Sequence, residues 1–356
     1  MIFKIIGLTF AILMVGQAAG TAQPKPLAAD ERLLWFPALA TPDRDGWQVT
    51  LSGLISEDES RPALSWLARK LLGFSHEEIG PAERAIFRER TQRFFADDER
   101  GKRVQVDLFG ARHDLGETGP NGHFGATIHL PRQTLRAGQQ QALHAVVFAN
   151  GRVVSNFVQV CAVSEKGISV VSDIDDTIKI SQVRDREELM RNTFLRPFRP
   201  VDGMADVYQQ WFTHSAVQFH YVSGSPWQLL PALQTFIETN RFPEGSWHLR
   251  NVRLLDSSAM ELLKTPDVHK RTMIEELFAR LPDRQFVLVG DSGERDPEIC
   301  ADLLRRHPKR VVKIFIRDVT GETKSSERYR KAFQDLPEDS WSVFKSSDEL
   351  PRHLEK

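Results

Sequence analysis

The chain has 356 residues, of which 41% are hydrophobic and 27% charged, and its 47 basic side chains are balanced by 48 acidic ones. This composition supplies a core for one large domain or two ordinary ones, and it excludes collagen, coiled-coil and disordered proteins. A net charge of -1 gives no overall electrostatic basis for nucleic-acid binding, so no nucleic-acid partner is expected.

The N-terminus has the pattern of a secretory signal. A short start containing Lys4 leads into an apolar run from Ile5 to Gly16, followed by small residues before Gln23. The run is shorter than the roughly 20 residues that span a bilayer. We therefore expect residues 1–22 to be a signal peptide and the protein to be exported, either periplasmic or secreted. Whether the signal is cleaved or kept as an anchor stays open.

Residues 30–165 are predicted to form a β-rich, sandwich-like domain. Alternating apolar and polar residues predict strands at 47–54, 104–109, 123–130 and 143–148. Between the first two strands, Leu64, Leu67, Leu71 and Leu72 lie on one helical stripe and predict a helical insertion. The region contains no catalytic constellation of its own.

Residues 166–350 are predicted to form a second domain of the α/β class. Apolar runs alternate with helical stretches, which is typical of a parallel sheet with crossover helices. Strands are predicted at 168–172, 217–222, 249–255, 286–289 and 311–316, and helices at 204–212, 227–239, 267–281 and 298–306. The two cysteines, Cys161 and Cys300, are too few for a cysteine-rich zinc site, and the pattern leaves open a disulfide or two buried thiols.

Polar groups follow the predicted strands of this second domain. Asp173-Ile-Asp175-Asp-Thr177 comes after the first strand and Ser223-Gly224 after the second. The strand at 286–289 leads into the segment from Asp291 to Asp296, and Lys270 lies near the start of the helix that precedes this strand. Because ligands bind at the carboxyl ends of strands in open α/β sheets, we expect these groups to meet at one edge.

These four motifs, in this order, resemble those of the haloacid dehalogenase superfamily. The runs 172–179, 221–227 and 290–298 are similar to the actin-patch-type phosphatidate phosphatases, which are relatives of the lipins. The resemblance is strong over residues 165–320 and weaker over the β-rich region. It implies a Rossmann-like parallel-sheet core without a large cap domain.

The resemblance also implies Mg²⁺-dependent hydrolysis of a phosphomonoester. Asp173 would be the nucleophile that forms an aspartyl-phosphate, and Asp175 would exchange protons with the leaving oxygen and the water. Crowded carboxylates are expected to raise at least one carboxyl pKa, which suits an acid that starts protonated. The implied magnesium ligands are Asp173, the backbone carbonyl of Asp175, and Asp291, with Asp296 ligating or orienting nearby.

Substrate-binding groups are implied at Thr177, Ser223, Gly224 and Lys270, where hydroxyls, backbone amides and an ammonium would hold phosphoryl oxygens. Ser223 and Lys270 would also act in catalysis by stabilising the charge of the transition state.

The segment from Arg184 to Arg199 mixes arginines with apolar side chains. It fits a membrane-surface contact that reaches an anionic head group. It fits equally a helix that packs its apolar face on the core. Three functions therefore stay open: a phosphatidate-type lipid phosphatase, a phosphatase of a soluble or protein substrate, and a non-catalytic phosphatidate-binding module. The acid at Asp175 disfavours the last of these.

Overall fold

A computed structural model of the chain describes residues 31–57, 72, 74, 79–94, 99–149, 152–214, 217–250 and 267–354. The predicted signal peptide, the leucines 64, 67 and 71 of the helical stripe, and residues 251–255 of the strand predicted at 249–255 lie outside the described residues. Among the described helices, none has the length and apolar character needed to cross a membrane.

The front region contains one curled sheet of seven strands. They are β1 (Glu31–Pro42), β2 (Gly46–Glu57), β3 (Arg103–Leu108), β4 (Ala111–Glu117), β5 (His123–Pro131), β6 (Gln139–Ala149) and β7 (Arg152–Ala162), in the order β4-β3-β6-β7-β1-β2-β5. The pairing is antiparallel except between β1 and β7. The edge strands β4 and β5 contact each other, so the sheet curls on itself rather than forming the two facing layers of a sandwich.

Three strands of this sheet, β1, β4 and β7, were not predicted from the sequence. Strand β1 is buried on both faces over much of its second half, so its side chains do not alternate between apolar and polar. Strand β7 also carries apolar residues on its solvent face, where Val153 and Phe157 are exposed, so it lacks a strict alternation. Strand β4 is exposed along most of its length and has no apolar face to detect. The helical insertion is present in part, as α1 (Pro81–Thr91), which begins after Gly80 and has Pro81 in its first turn.

The second region contains a six-stranded parallel sheet with crossover helices. Its strands are β8 (Gly167–Ser172), β9 (Gln218–Pro226), β10 (Gly245–Arg250), β11 (Arg284–Asp291), β12 (Val311–Arg317) and β13 (Trp341–Phe344), in the order β10-β9-β8-β11-β12-β13. The helices are α2 (Arg186–Phe194), α3 (Met204–His214), α4 (Leu230–Thr239), α5 (Asp267–Arg280), α6 (Asp296–Arg306) and α7 (Glu327–Ala332). The central strands β8 and β11 are almost wholly buried, as covered parallel strands should be.

The two regions share apolar packing. Phe36 of β1 stacks on Trp227, with ring centroids 4.2 Å apart and an interplanar angle of 11°. Phe87 and Phe94 belong to the same buried cluster as Ile174 and Phe194. The front region is therefore packed directly against the segments that follow the strands of the parallel sheet.

The segment from Arg184 to Arg199 forms α2 and its C-terminal extension. Asp185 caps the helix by accepting hydrogen bonds from the amides of Glu187 and Glu188. Phe194 and Leu195 are buried in the core, whereas Arg184, Arg186 and Arg199 are exposed. The alternative of a helix packing its apolar face on the core therefore accounts for the apolar residues. Elsewhere in the fold, Cys161 and Cys300 are both buried and free, so they form no disulfide.

Candidate active site

The carboxyl edge of the parallel sheet brings three aspartates together. Asp173 follows β8, Asp291 ends β11, and Asp296 begins α6. Each has a carboxylate oxygen within 4.8 Å of the others, and all three residues are buried. Residues that are more than a hundred positions apart in sequence thus meet because their strands are hydrogen-bonded neighbours in one sheet.

Lys270, in the first turn of α5, reaches into this group of acids. Its ammonium nitrogen lies 2.8 Å from Asp173 Oδ1 and 2.6 Å from Asp296 Oδ1, and 3.4 Å from an oxygen of Glu294. Burial alone would lower the pKa of Lys270, but the facing carboxylates outweigh it and hold that pKa well above its usual value. Lys270 is therefore a permanent cation beside Asp173.

Asp173 is held by two donors on its two oxygens. Lys270 contacts Oδ1, and the hydroxyl of Thr177 donates to Oδ2 over 2.9 Å. Burial raises the pKa of Asp173, Lys270 lowers it, and the negative charge of Asp296 raises it again, so that it stands well above its ordinary value. Burial and the neighbouring carboxylates therefore oppose ionisation of Asp173, whereas Lys270 favours it.

Asp291 retains an oxygen with no donor. Its Oδ1 accepts the amide of Gly293 at 2.6 Å, while its buried Oδ2 has no hydrogen-bond partner. Burial and the neighbouring carboxylates of Asp296 and Asp173 raise its pKa. A buried, unpaired carboxylate oxygen needs an explanation, and a bound cation is one. The oxygen donors of Asp173, Asp291 and Asp296 fit Mg²⁺, which prefers carboxylates and water.

Asp175 points to a different set of partners. Its Oδ1 accepts from Lys179 (2.6 Å) and the hydroxyl of Ser181 (2.7 Å). Its Oδ2 accepts from the hydroxyls of Ser223 (3.0 Å) and Ser225 (3.2 Å). Burial would raise the pKa of Asp175, but Lys179 and the hydroxyls outweigh burial and lower it to about 2.

The expected rise in carboxyl pKa therefore falls on Asp173 and Asp291 and not on Asp175. In this conformation Asp175 does not start protonated, because the buried ammonium of Lys179 stabilises its carboxylate. The sequence reasoning missed this lysine. Its position four residues after Asp175 was the available signal.

A tight turn returns Lys179 and Ser181 to Asp175. Asp176 has a left-handed backbone conformation (φ 54°), and its carboxylate accepts the amides of three successive residues at 2.7–2.9 Å, namely Ser181, Gln182 and Val183. Such a closed turn fixes the backbone that follows Asp173.

Ser223 and Gly224 lie at the end of β9, as the motif order predicted. Ser223 is buried, accepts the amide of Ser225 at 2.9 Å and donates to Asp175. Gly224 and Ser225 are half-buried. Four residues around the site were not anticipated from the sequence: Lys179, Ser181, Ser225 and Glu294.

Asp296 approaches the backbone of β11 at a glycine. A Cβ atom on Gly290 would lie 2.3 Å from Asp296 Oδ2 and 2.8 Å from its Cγ. The absent side chain allows Asp296 to accept the amide of Asp291 at 3.2 Å while its other oxygen contacts Lys270. Gly290 is therefore a steric requirement of the site.

Comparison with known proteins places this edge of the sheet in a phosphatase context. Residues 168–318 match the family model of the catalytic domain of phosphatidate phosphatase APP1. This segment is therefore similar to a phosphatase catalytic domain. It contains all the residues of the site described above.

Two curated relatives show sequence similarity. Phosphatidate phosphatase APP1 of Saccharomyces cerevisiae is 28% identical over 277 residues, which are 75% of this chain and 46% of that protein. An uncharacterised protein of Schizosaccharomyces pombe is 33% identical over 171 residues, which are 46% of this chain and 27% of that protein. The chain thus spans less than half the length of each of these relatives. Among solved structures, an alignment with a ferredoxin-NADP⁺ reductase from Plasmodium falciparum covers 90% of this chain and 96% of that chain, at 8% identity and with a TM-score of 0.18.

Proposed function

We propose that the chain is a Mg²⁺-dependent phosphomonoester hydrolase of the haloacid dehalogenase type, with Asp173 as nucleophile and a phosphatidate-like lipid phosphate as substrate. The observation that carries the proposal is the meeting of Asp173, Asp291 and Asp296 with Lys270 inside a segment that matches a phosphatase catalytic domain.

The metal-binding part of the proposal assigns Mg²⁺ to Asp173, Asp291 and Asp296, with the backbone carbonyl of Asp175. The unpaired Oδ2 of Asp291 supports this assignment, because a buried carboxylate oxygen without a donor is costly. When bound, the ion would neutralise negative charge on the substrate phosphate and on the carboxylates. Lys270 adds a fixed positive charge beside the nucleophile.

In the first step, a carboxylate oxygen of Asp173 bonds to phosphorus, the bond between phosphorus and the leaving oxygen breaks, and Asp175 gives its proton to that oxygen. Thr177 and Lys270 orient Asp173, since each contacts one of its oxygens. Ser223 and the amide of Gly224 would bind phosphoryl oxygens. In the second step, water attacks phosphorus, Asp175 takes a proton from that water, and Asp173 is released.

Asp175 must be protonated when the leaving oxygen departs, although its pKa is low in this conformation. Two changes on substrate binding would raise that pKa. The hydroxyl of Ser223 turns from Asp175 to a phosphoryl oxygen, and the anionic phosphate arrives nearby. The substrate would thereby prepare its own acid.

The preference for a lipid phosphate rests on similarity to phosphatidate phosphatase APP1. A soluble or protein phosphomonoester stays the second candidate because of the ion pairs that the arginines near the site make. Two arginines of α2 and its extension are engaged in ion pairs: Arg191 with Glu187 and Arg196 with Glu188. These side chains are thus already neutralised, which leaves fewer charges for an anionic membrane surface. Export of the protein and its contact with a membrane surface are further parts of the lipid-phosphatase proposal.

Trapping of a phospho-enzyme mimic tests the chemistry. Beryllofluoride with Mg²⁺ should bind the wild-type protein and not the Asp173→Asn variant, because the mimic forms on the carboxylate. Turnover of phosphatidate in mixed micelles, compared with nucleotides and phosphopeptides, then tests the substrate class. Equal trapping by both proteins would refute the role of Asp173 as nucleophile. Turnover of phosphopeptides alone would refute a lipid phosphate as the substrate.

A further inference from the structure

The front region reaches the catalytic region through a buried arginine of α1. Arg90 is 7% exposed. Its Nη1 donates to the backbone carbonyls of Thr193 at 2.6 Å and Arg196 at 2.8 Å, and lies 3.4 Å from that of Asn192. Burial lowers the pKa of Arg90 to about 10, so the guanidinium stays charged at neutral pH.

These carbonyls lie at and just beyond the C-terminal end of α2. The last carbonyls of a helix have no partner within the helix and carry partial negative charge. A cation from another part of the chain therefore fixes this end of α2. The guanidinium of Arg90 also lies 3.7 Å from the ring centroid of Phe198, which binds it on its face.

Two further contacts continue from this end of α2 to Asp175. The side-chain amide of Asn192 donates to the carbonyl of Ser181 at 3.1 Å. The same ring of Phe198 lies 4.8 Å from the ammonium of Lys179. Ser181 and Lys179 are the two groups that hold Asp175 Oδ1.

We propose that Arg90 is a positioning residue for catalysis, through which the β-rich front region holds the turn that orients Asp175. The inference rests on the proposed phosphatase function and adds a role for the front region, to whose described residues that proposal assigns no catalytic group. Arg90 touches neither the nucleophile nor the residues that would bind phosphate; it acts through Asn192 and Phe198.

The test compares Arg90→Ala and Arg90→Lys with a matched control, Arg310→Ala. Arg310 also donates to carbonyls at the C-terminal end of a helix, those of Phe278 (2.8 Å) and Leu281 at the end of α5. It also lies over a ring, that of Phe286 at 5.0 Å. Arg310 thus makes similar contacts, at the end of α5 opposite to Lys270.

Arg90→Ala should lower kcat about tenfold or more while KM changes less than about twofold, because small misplacements of catalytic groups cost rate. Guanidinium ion at millimolar concentration should restore part of that kcat. Arg90→Lys should be intermediate, since an ammonium can donate to carbonyls but lacks the planar stack. Arg310→Ala should lose stability and keep kcat.

Amide hydrogen exchange gives a readout that needs no activity. The amides of residues 181–183, which donate to Asp176, should exchange faster in Arg90→Ala than in Arg310→Ala. An Arg90→Ala protein with wild-type kcat and unchanged exchange at 181–183 would overturn the inference, and so would a loss of kcat matched by Arg310→Ala. Failure of the phosphatase proposal would appear separately, as a wild-type protein without turnover or beryllofluoride binding.

Discussion

The contact between Gly290 and Asp296 gives the sharpest test of the described site. In a Gly290→Ala variant, the new methyl group would lie 2.3 Å from Asp296 Oδ2, 2.7 Å from its Cβ and 2.8 Å from its Cγ. Asp296 would have to move, since a Cβ atom does not approach three atoms this closely. The displaced carboxylate would lose its 2.6 Å contact with Lys270 and its 3.2 Å hydrogen bond from the amide of Asp291.

The magnitude follows from two costs. Forcing a methyl group into a packed site costs about 1–3 kcal/mol, and losing a hydrogen bond that involves a charged group costs about 1.5–3 kcal/mol. The variant should therefore be destabilised by about 2.5–6 kcal/mol, and its kcat should fall by about 10²-fold or more because Lys270 and Asp173 shift together.

Urea unfolding and phosphatase kinetics measure these two effects. Gly80→Ala is the matched control, because the nearest atom to its new Cβ would be a side-chain oxygen of Glu83 at 3.5 Å, an ordinary contact. It should change stability by less than about 1 kcal/mol and leave kcat unchanged. A Gly290→Ala protein with wild-type stability and kcat would show that Asp296 does not occupy the described position.

Two further predictions concern the charges of the site. Lys179→Met should raise the pKa of Asp175, which in the wild-type protein is lowered to about 2. The stability that this lowered pKa contributes is present above pH ~4 and is lost as the pH falls towards 2. Urea titrations should therefore show a wild-type protein that is more stable than the variant by roughly 2 kcal/mol at neutral pH and no more stable at acid pH. An unchanged difference across that pH range would exclude the ion pair as its source. Mg²⁺ at about 100 times its Kd should stabilise the wild-type protein by about 2.7 kcal/mol in thermal unfolding and should stabilise Asp291→Asn far less; equal shifts would place the ion elsewhere.

The order of motifs anticipated most of the candidate site. Asp173 and Asp291 are identifiable in the sequence because each follows a strongly apolar run, and parallel strands present their carboxyl ends at one edge. Asp296 and Lys270 are identifiable from their places in the motif order, shortly after Asp291 and at the start of the preceding helix. The four core strands centred on β8, β9, β11 and β12 appear where their apolar runs predict them. Strand β13 was missed because four residues are too short for a periodic signal.

The partners of Asp175 could not be ranked from the sequence. Crowded carboxylates suggested a raised pKa, but the sign at Asp175 depends on the distance of 2.6 Å to the buried ammonium of Lys179. A change of a few ångströms in that distance would reverse the balance between burial and charge. The contacts of Arg90 could not be predicted from the sequence either, because Arg90 is one of several arginines in the segment Pro81–Thr91.

The sequence alone determined the alternation of strands and helices, the order of the polar motifs and therefore the edge of the sheet where they meet, because these follow from local periodicity and from the geometry of parallel strands. Tertiary structure decided the curling of the front sheet, the charge state of Asp175 and the contact of Arg90 with the end of α2. Each of these depends on which distant side chains lie within a few ångströms of one another, and burial makes the electrostatic consequence of such contacts large.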